Sequence, residues 1–196
     1  MITRPTIILF LIGDNMDKKT LREIFLNMRE TMDPILHKQL NTMLLMALKE
    51  VLSEYPLKKI GIFYPMEKEI DLRPLEKDYG VYYPKVEPEG IVFYENNGQF
   101  EKSAFGVMEP VNSVPVDKQA LDAIIVPGLV YDDGLYRLGY GKGYYDHLLK
   151  DYQGLKIGVV FEKFRMEALP SKAHDIPVDI LVTDNQIYES RHDSDV

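Results

Sequence analysis

Residues 121–149 read LDAIIVPGLVYDDGLYRLGYGKGYYDHLL. The run from Leu121 to Val126 has the composition of a strand buried in a sheet, and it stops at Pro127-Gly128. A polar turn follows, then Arg137, then glycines at alternate positions, Gly139, Gly141 and Gly143, with Lys142 among them. Tyr144-Tyr145-Asp146 comes next, and the apolar pair Leu148-Leu149 marks a helix already under way. Glycine lets backbone N–H groups turn toward an anion with no Cβ in the way. A helix N-terminus adds partial positive charge at the same place. Arg137 and Lys142 add full charges, so the stretch has the physical makings of a polyphosphate cradle. Asp146 is placed to hold a metal beside it. The spacing is neither the dinucleotide fingerprint nor a P-loop, because the third glycine is wrongly placed for the first and no Gly-Lys-Ser/Thr follows for the second. A glycine-rich turn by itself often holds nothing; the length of the string is what carries the reading.

Outward from this stretch, strands and helices alternate. Asp17 reads as the N-cap of a helix over 18–30, with Leu21, Ile24, Phe25 and Met28 at helical spacing and Lys18, Arg22 and Arg29 off that apolar set. Asp33-Pro34 reads as cap and first-turn proline of a second helix through Val51. Short strands are expected at Lys59 to Tyr64, Val81 to Pro84, Ile91 to Tyr94, Leu155 to Phe161 and Val178 to Thr183. Asp71 reads as the cap of a short helix through Leu75, Asn96-Asn97-Gly98 as a hairpin-type turn, and Phe105 to Pro110 as a loop carrying Glu109. The pattern predicts an α/β fold, a three-layer Rossmann-like sandwich with a mostly parallel sheet and helices on both faces. Ligands of such sheets bind beyond the carboxyl ends of the strands. Tyr64-Pro65, Tyr83-Pro84 and Val126-Pro127 are then expected to open on one crevice.

The 196 residues suffice for one sizeable core, and no linker or repeat divides them, so a single domain over 1–196 is expected. A net charge of −8 argues against a nucleic-acid binder, which needs a basic face, but allows a small anionic ligand on a local cationic cluster. The absence of cysteine removes disulfides, thiolate metal sites and thiol nucleophiles, and suits a cytoplasmic protein. Ile7 to Ile12 is apolar but too short to span a bilayer and lacks a small-residue cleavage site. It reads as an extra strand or an extension over 1–15, with Met16-Asp17-Lys18-Lys19 as a natural start and 185–196 as a tail. None of His37, His147, His174 and His192 has metal-ligand spacing, and all four read as structural or surface residues. A monomer is the default.

Pro127-Gly128, the turn through Gly134, Arg137-Leu138-Gly139 and Gly141-Lys142-Gly143-Tyr144-Tyr145-Asp146 resemble the signature of the 5-formyltetrahydrofolate cyclo-ligase family. Lys18-x-x-Leu21-Arg22 is similar to that family's N-terminal basic helix, and Tyr64 to Ile70 looks like its substrate segment. Phe105-Gly106-x-x-Glu109-Pro110 and His174-Asp175-x-x-Val178-Asp179 also match, so the resemblance covers about 16–184.

The resemblance implies that ATP phosphorylates the formyl oxygen of 5-formyltetrahydrofolate to an iminium phosphate. N10 then attacks the activated carbon, and 5,10-methenyltetrahydrofolate forms with release of ADP and phosphate. It implies ATP contacts from Lys18, Arg22, Arg137, Leu138, Gly139, Tyr140, Gly141, Lys142, Gly143, Tyr144 and Tyr145, with Arg137 and Lys142 as the catalytic cations. It implies substrate contacts from Tyr64, Glu69, Tyr140 and Tyr144, and Mg²⁺ held by Asp146 and Asp175. Relatives often carry another residue type at the position of Tyr140. Arg137 and Asp146 are expected at a solvent-reachable crevice, where substitution spares the fold. Two other readings stay open: an ATP-dependent enzyme acting on another formylated heterocycle, and a nucleotide- or folate-binding protein without catalysis.

Overall fold

The computed structural model describes residues 16–104, 106–170 and 173–190. The expectations for 1–15, for Phe105 and for the last six residues lie outside them. Helix α1 (Lys18–Glu30) starts where Asp17 Oδ1 accepts the Thr20 amide at 2.8 Å. Helix α2 (Pro34–Ser53) starts where Asp33 Oδ1 accepts the amides of Ile35 and Leu36, with Pro34 in the first turn. Both helices are local in origin, and both lie where the spacing and caps predict.

The strands are β1 (Lys59–Gly61), β2 (Gly80–Glu87), β3 (Gly90–Glu95), β4 (Phe100–Lys102), β5 (Met108–Pro110), β6 (Pro115–Val116), β7 (Ala123–Pro127), β8 (Val130–Tyr131), β9 (Arg137–Leu138), β10 (Leu155–Val159), β11 (Ile180–Val182) and β12 (Ile187–Glu189). Helix α3 (Tyr144–Leu149) lies between β9 and β10. An eight-stranded sheet runs in the order β12-β11-β10-β7-β1-β2-β3-β6. Its centre, from β11 to β2, is parallel. Its flanks are antiparallel: β12 on β11, and β3 and β6 beyond β2. α2 packs on β11 and α3 on β3. The α/β class expected from the sequence is therefore observed, with parallel pairing confined to the middle.

Several local expectations need correction. Residues 187–189, read as tail, form the edge strand β12. The turn that closes a hairpin is Pro88-Glu89, since Glu87 pairs with Gly90; Asn96-Asn97-Gly98 instead carries the chain out of the sheet to β4. The segment ahead of Pro110, read as a loop, is strand β5, paired with β4 in a separate small sheet. The short helix expected after Asp71 is a 3₁₀ turn (Arg73–Lys77) that carries the chain from β1 to β2; Asp71 Oδ1 accepts its first amide, that of Arg73, at 3.1 Å, and the carboxylate also pairs with the Arg73 guanidinium. A second 3₁₀ turn (Glu162–Phe164) does the same from β10 to β11, so two crossovers dispense with a helix. The strands β5 and β12 have three residues each and the two 3₁₀ turns five and three, too few to show a period in the sequence.

The core centres on β1, β7 and β10, whose Ile60, Ile124, Ile125, Val126 and Ile157 are fully buried. Gly128 and Gly158 flank the fully buried Tyr131: a Cβ on either would come within 2.6 and 2.7 Å of its ring. The Tyr131 hydroxyl donates to the Val126 carbonyl at 2.9 Å. Pro127-Gly128 thus serves the packing of the strand end, directly beneath the glycine-rich loop. Chain order reverses at β1, which has β2 on one side and β7 on the other. The chain leaves β1 toward β2 and β7 toward β10, on opposite sides, and such a switch point is where open α/β sheets bind ligands.

Candidate functional site

A cavity of about 500 Å³ opens at that point, in the size range of small-molecule sites. It is lined from the segment just after β1 by Phe63 and Tyr64, from β7 by Pro127, from α1 by Lys18 and Arg22, and from the glycine loop by every residue from Arg137 to Asp146. Met66, Glu69, Glu109, His174 and Asp175 complete the polar rim, and Pro84, Val86, Ile91 and Val107 form an apolar side. All the candidate residues named from the sequence therefore face one cavity, although they span positions 18 to 175.

The β8–β9 hairpin presents Arg137. Asp132 Oδ1 accepts the Tyr136 amide at 2.9 Å and Oδ2 the Leu169 amide at 3.0 Å, fixing the tip of the hairpin. Burial pushes the Asp132 carboxyl above the usual carboxylate range. Arg137 is buried, and its guanidinium donates through Nη2 to Asp146 Oδ1 at 2.8 Å and through Nη1 to the Ile176 carbonyl at 2.8 Å. Arg137 lines the cavity, but its fork is set in the wall and supports the chain around it, which corrects the expectation that its substitution spares the fold. Lys142 is exposed at the tip of the loop.

The three alternate glycines differ in kind. Gly141 and Gly143 have φ of 97° and 70°, conformations that other residues adopt only with strain. Gly139 has no positive φ, and a Cβ there would meet nothing within 4 Å. Its value is the open backbone face itself. Arg22 Nε donates to the Gly139 carbonyl at 2.8 Å, and its guanidinium covers Gly141. Lys18 pairs with Asp175 at 2.6 Å. These two cations of α1 thus belong to the site rather than to a solvated helix stripe.

On the other side, Glu69 is buried, with Oε2 accepting the Met66 amide at 2.9 Å and Oε1 accepting the Tyr140 hydroxyl. Tyr64 stacks obliquely with Tyr83 and Phe100, and the Arg73 guanidinium lies over its ring at 5.4 Å. Tyr145 is enclosed, and its hydroxyl has no hydrogen-bond partner among the described residues. Burial first, then the charge of Glu69, raises its pKa, so it remains a neutral donor. Desolvation likewise raises that of Tyr140.

Sequence reasoning missed Arg29. It sits in line with Leu21 and Phe25 at intervals of four, and it is buried rather than off the apolar set. That spacing was the available signal. Its guanidinium donates to the carbonyls of Gly128 and Leu129 and to the Tyr140 hydroxyl, and lies over the Phe164 ring. Glu109, left uncommitted by sequence, accepts the Val86 amide at 3.3 Å within the apolar side of the cavity.

No cluster of three or more carboxylate or imidazole ligands exists among the described residues. Asp146 and Asp175 are nevertheless brought together, because the amide of Ile176, next to Asp175, donates to Asp146 Oδ1 at 3.3 Å. A pair of carboxylates beside a phosphate site fits Mg²⁺, which takes one or two carboxylates and fills its shell with phosphate oxygens and water.

The sequence matches the model of the 5-formyltetrahydrofolate cyclo-ligase family over residues 14–184. The chain belongs to that family. It is a ligase of folate metabolism. It is 28% identical to the 5-formyltetrahydrofolate cyclo-ligase of Haemophilus influenzae over 143 residues, 64% of this chain and 75% of that one. The solved structure of Aquifex aeolicus 5,10-methenyltetrahydrofolate synthetase superposes with a TM-score of 0.82 at 36% identity, covering 92% of this chain and 96% of that one. The Mycoplasma pneumoniae 5,10-methenyltetrahydrofolate synthetase shares the fold, with a TM-score of 0.73 at 24% identity over 87% of this chain and all of that one. No helix among the described residues is long and apolar enough to cross a membrane.

Proposed function

We propose that this cyclo-ligase converts 5-formyltetrahydrofolate to 5,10-methenyltetrahydrofolate with ATP and Mg²⁺, as a single-domain cytoplasmic monomer. One observation carries the reading. The same cavity is lined by the cationic, glycine-rich stretch from Arg137 to Lys142 and by the buried carboxylate of Glu69 together with Tyr64. A phosphoryl donor suits the first. The amidine-like edge of a pterin suits the second, since it offers paired N–H donors to a carboxylate.

In this reading the Gly139–Gly143 amides, Arg22, Arg137 and Lys142 grip the triphosphate, and Lys18 reaches it from α1. Glu69 and Tyr64 hold the pterin so that the formyl oxygen lies in line with the γ-phosphorus. That oxygen attacks, the bond to ADP breaks, and an iminium phosphate results. N10 then bonds to the formyl carbon, loses its proton, and phosphate departs. Phosphoryl transfer of this kind is mostly positioning and charge neutralisation, which is what this wall supplies. Asp146 and Asp175 would hold Mg²⁺, which neutralises phosphate charge when bound. In this reading the Tyr145 hydroxyl, which has no partner among the described residues, would donate to the oxygen in transfer.

The test is incubation of the chain with 5-formyltetrahydrofolate, Mg²⁺ and ATP, followed at the near-ultraviolet absorbance of the methenyl product. Product should require all three components. Turnover without ATP would overturn the mechanism. Turnover of a different formylated heterocycle, with none of the folate, would overturn the substrate.

A further inference from the structure

Tyr140 lies between Gly139 and Gly141, in the stretch proposed for phosphate, yet its hydroxyl donates to Glu69 Oε1, the carboxylate proposed for the pterin. The same hydroxyl accepts from Arg29 Nη1 at 3.4 Å. Arg29 is itself fixed by the carbonyls of Gly128 and Leu129, so the anchor belongs to the end of β7 and does not travel with the loop. The other oxygen of Glu69 is held by the Met66 amide. Both oxygens of the carboxylate proposed for the pterin are thus engaged from within the protein. One of those partners is the central side chain of the phosphate loop. Gly141 beside it sits at φ 97° and Gly139 carries no side chain, so the backbone on either side of Tyr140 is tied only from outside, by Arg22, which donates to the Gly139 carbonyl and covers Gly141.

We propose that Tyr140 is a positioning residue that couples the folate subsite to the phosphate loop. The inference rests on the proposed function above. A pterin that engages Glu69 through two N–H donors takes the place of the Tyr140 hydroxyl at Oε1. Release of that hydroxyl removes the tie of the Gly139–Gly143 backbone to Glu69, leaving the weaker contact with Arg29 and the Arg22 bond to Gly139, and so eases closure of the loop on phosphates. A nucleotide that draws the loop inward breaks the same hydrogen bond from the other side. The bond is broken once, by whichever ligand binds first, so the second binds more tightly than it would alone. Coupling of this kind is reciprocal by linkage.

The experiment is calorimetric titration of the full chain with 5-formyltetrahydrofolate and with a non-hydrolysable ATP analogue in Mg²⁺, each alone and with the other saturating. Wild type should show each ligand binding at least about fivefold more tightly in the presence of the other. In Tyr140→Phe, which keeps the ring and changes a side chain that is 41% exposed, the factor should fall below about twofold. Folate affinity in the absence of nucleotide should rise in that variant, because there is no hydroxyl to displace. Glu69→Gln should also lose the coupling, but with weaker folate binding. Independent binding in wild type, or undiminished coupling in Tyr140→Phe, overturns the proposal while leaving the proposed function intact. If wild type binds neither ligand, the proposed function falls and takes this coupling with it.

Discussion

Arg137 Nη2 stands 2.8 Å from Asp146 Oδ1, with 4% of the arginine side chain exposed and 26% of the aspartate. The cation proposed for phosphate and the carboxylate proposed for the metal therefore hold each other. Removing either leaves the other poorly compensated in a partly enclosed place. Arg137→Ala is expected to lower turnover by about a hundredfold or more and to cost about 2 kcal/mol of stability. Arg137→Lys keeps the charge but not the fork, so it should recover much of the stability and little of the activity. Urea unfolding run beside kcat/KM measurements separates the two effects.

Gly139 gives a cleaner probe of the phosphate wall, because a methyl group there meets no protein atom within 4 Å and its φ needs no glycine. Gly139→Ala should leave the melting temperature within a degree or so of wild type. It should raise the KM for ATP about tenfold or more, since the methyl occupies the face on which the phosphates are proposed to lie. An unchanged KM would show that the triphosphate does not use this amide surface.

Glu69→Gln replaces a charged acceptor by a neutral one at a buried position. The KM for 5-formyltetrahydrofolate should rise roughly ten- to a hundredfold, the range for a hydrogen bond to a charged group. The KM for ATP, measured at saturating folate, should change little. A selective rise for ATP would contradict the assignment of this wall to the pterin.

The Tyr145 hydroxyl is enclosed and has no partner among the described residues, so removing it breaks no internal hydrogen bond seen there. Tyr145→Phe is expected to keep or slightly raise thermal stability while kcat falls about tenfold or more. Loss of stability without loss of kcat would mark the hydroxyl as structural.

Asp122 Oδ2 accepts the amides of Lys58 at 2.7 Å and Lys59 at 2.8 Å, tying the start of β1 to β7. The Lys59 amide above all, and then that of Lys58, hold its carboxyl below the usual value of 3.8. A lowered carboxyl contributes stability that is complete above the unfolded value and is lost as pH falls through the lower, folded one. Asp122→Ala should therefore cost about 1–2 kcal/mol at neutral pH. The gap from wild type should close as pH falls below 3.8, with denaturation midpoints followed by circular dichroism.

Much of the site was legible because its residues are clustered in sequence. Arg137 to Asp146 is a continuous string, and the charges of Lys18 and Arg22 lie one helical turn apart. What lay beyond reach were contacts set by the sheet. Glu69 and Tyr140 are 71 positions apart and meet only because β1 and β7, which lead to them, are neighbours in the sheet. Arg29 was misread because charge outweighed spacing: it follows Leu21 and Phe25 at the core-facing interval, and backbone carbonyls and a phenol satisfy it there.

The amino-acid order alone specified the two long helices, their aspartate caps, the apolar strand before Pro127 and the glycine string, since each is a pattern of near neighbours. Folding in three dimensions decided which strands flank β1, where the edges turn antiparallel, and which wall Tyr140 touches. Strand pairing and cavity contacts join residues with no fixed separation along the chain, so only the assembled sheet brings them within hydrogen-bonding reach.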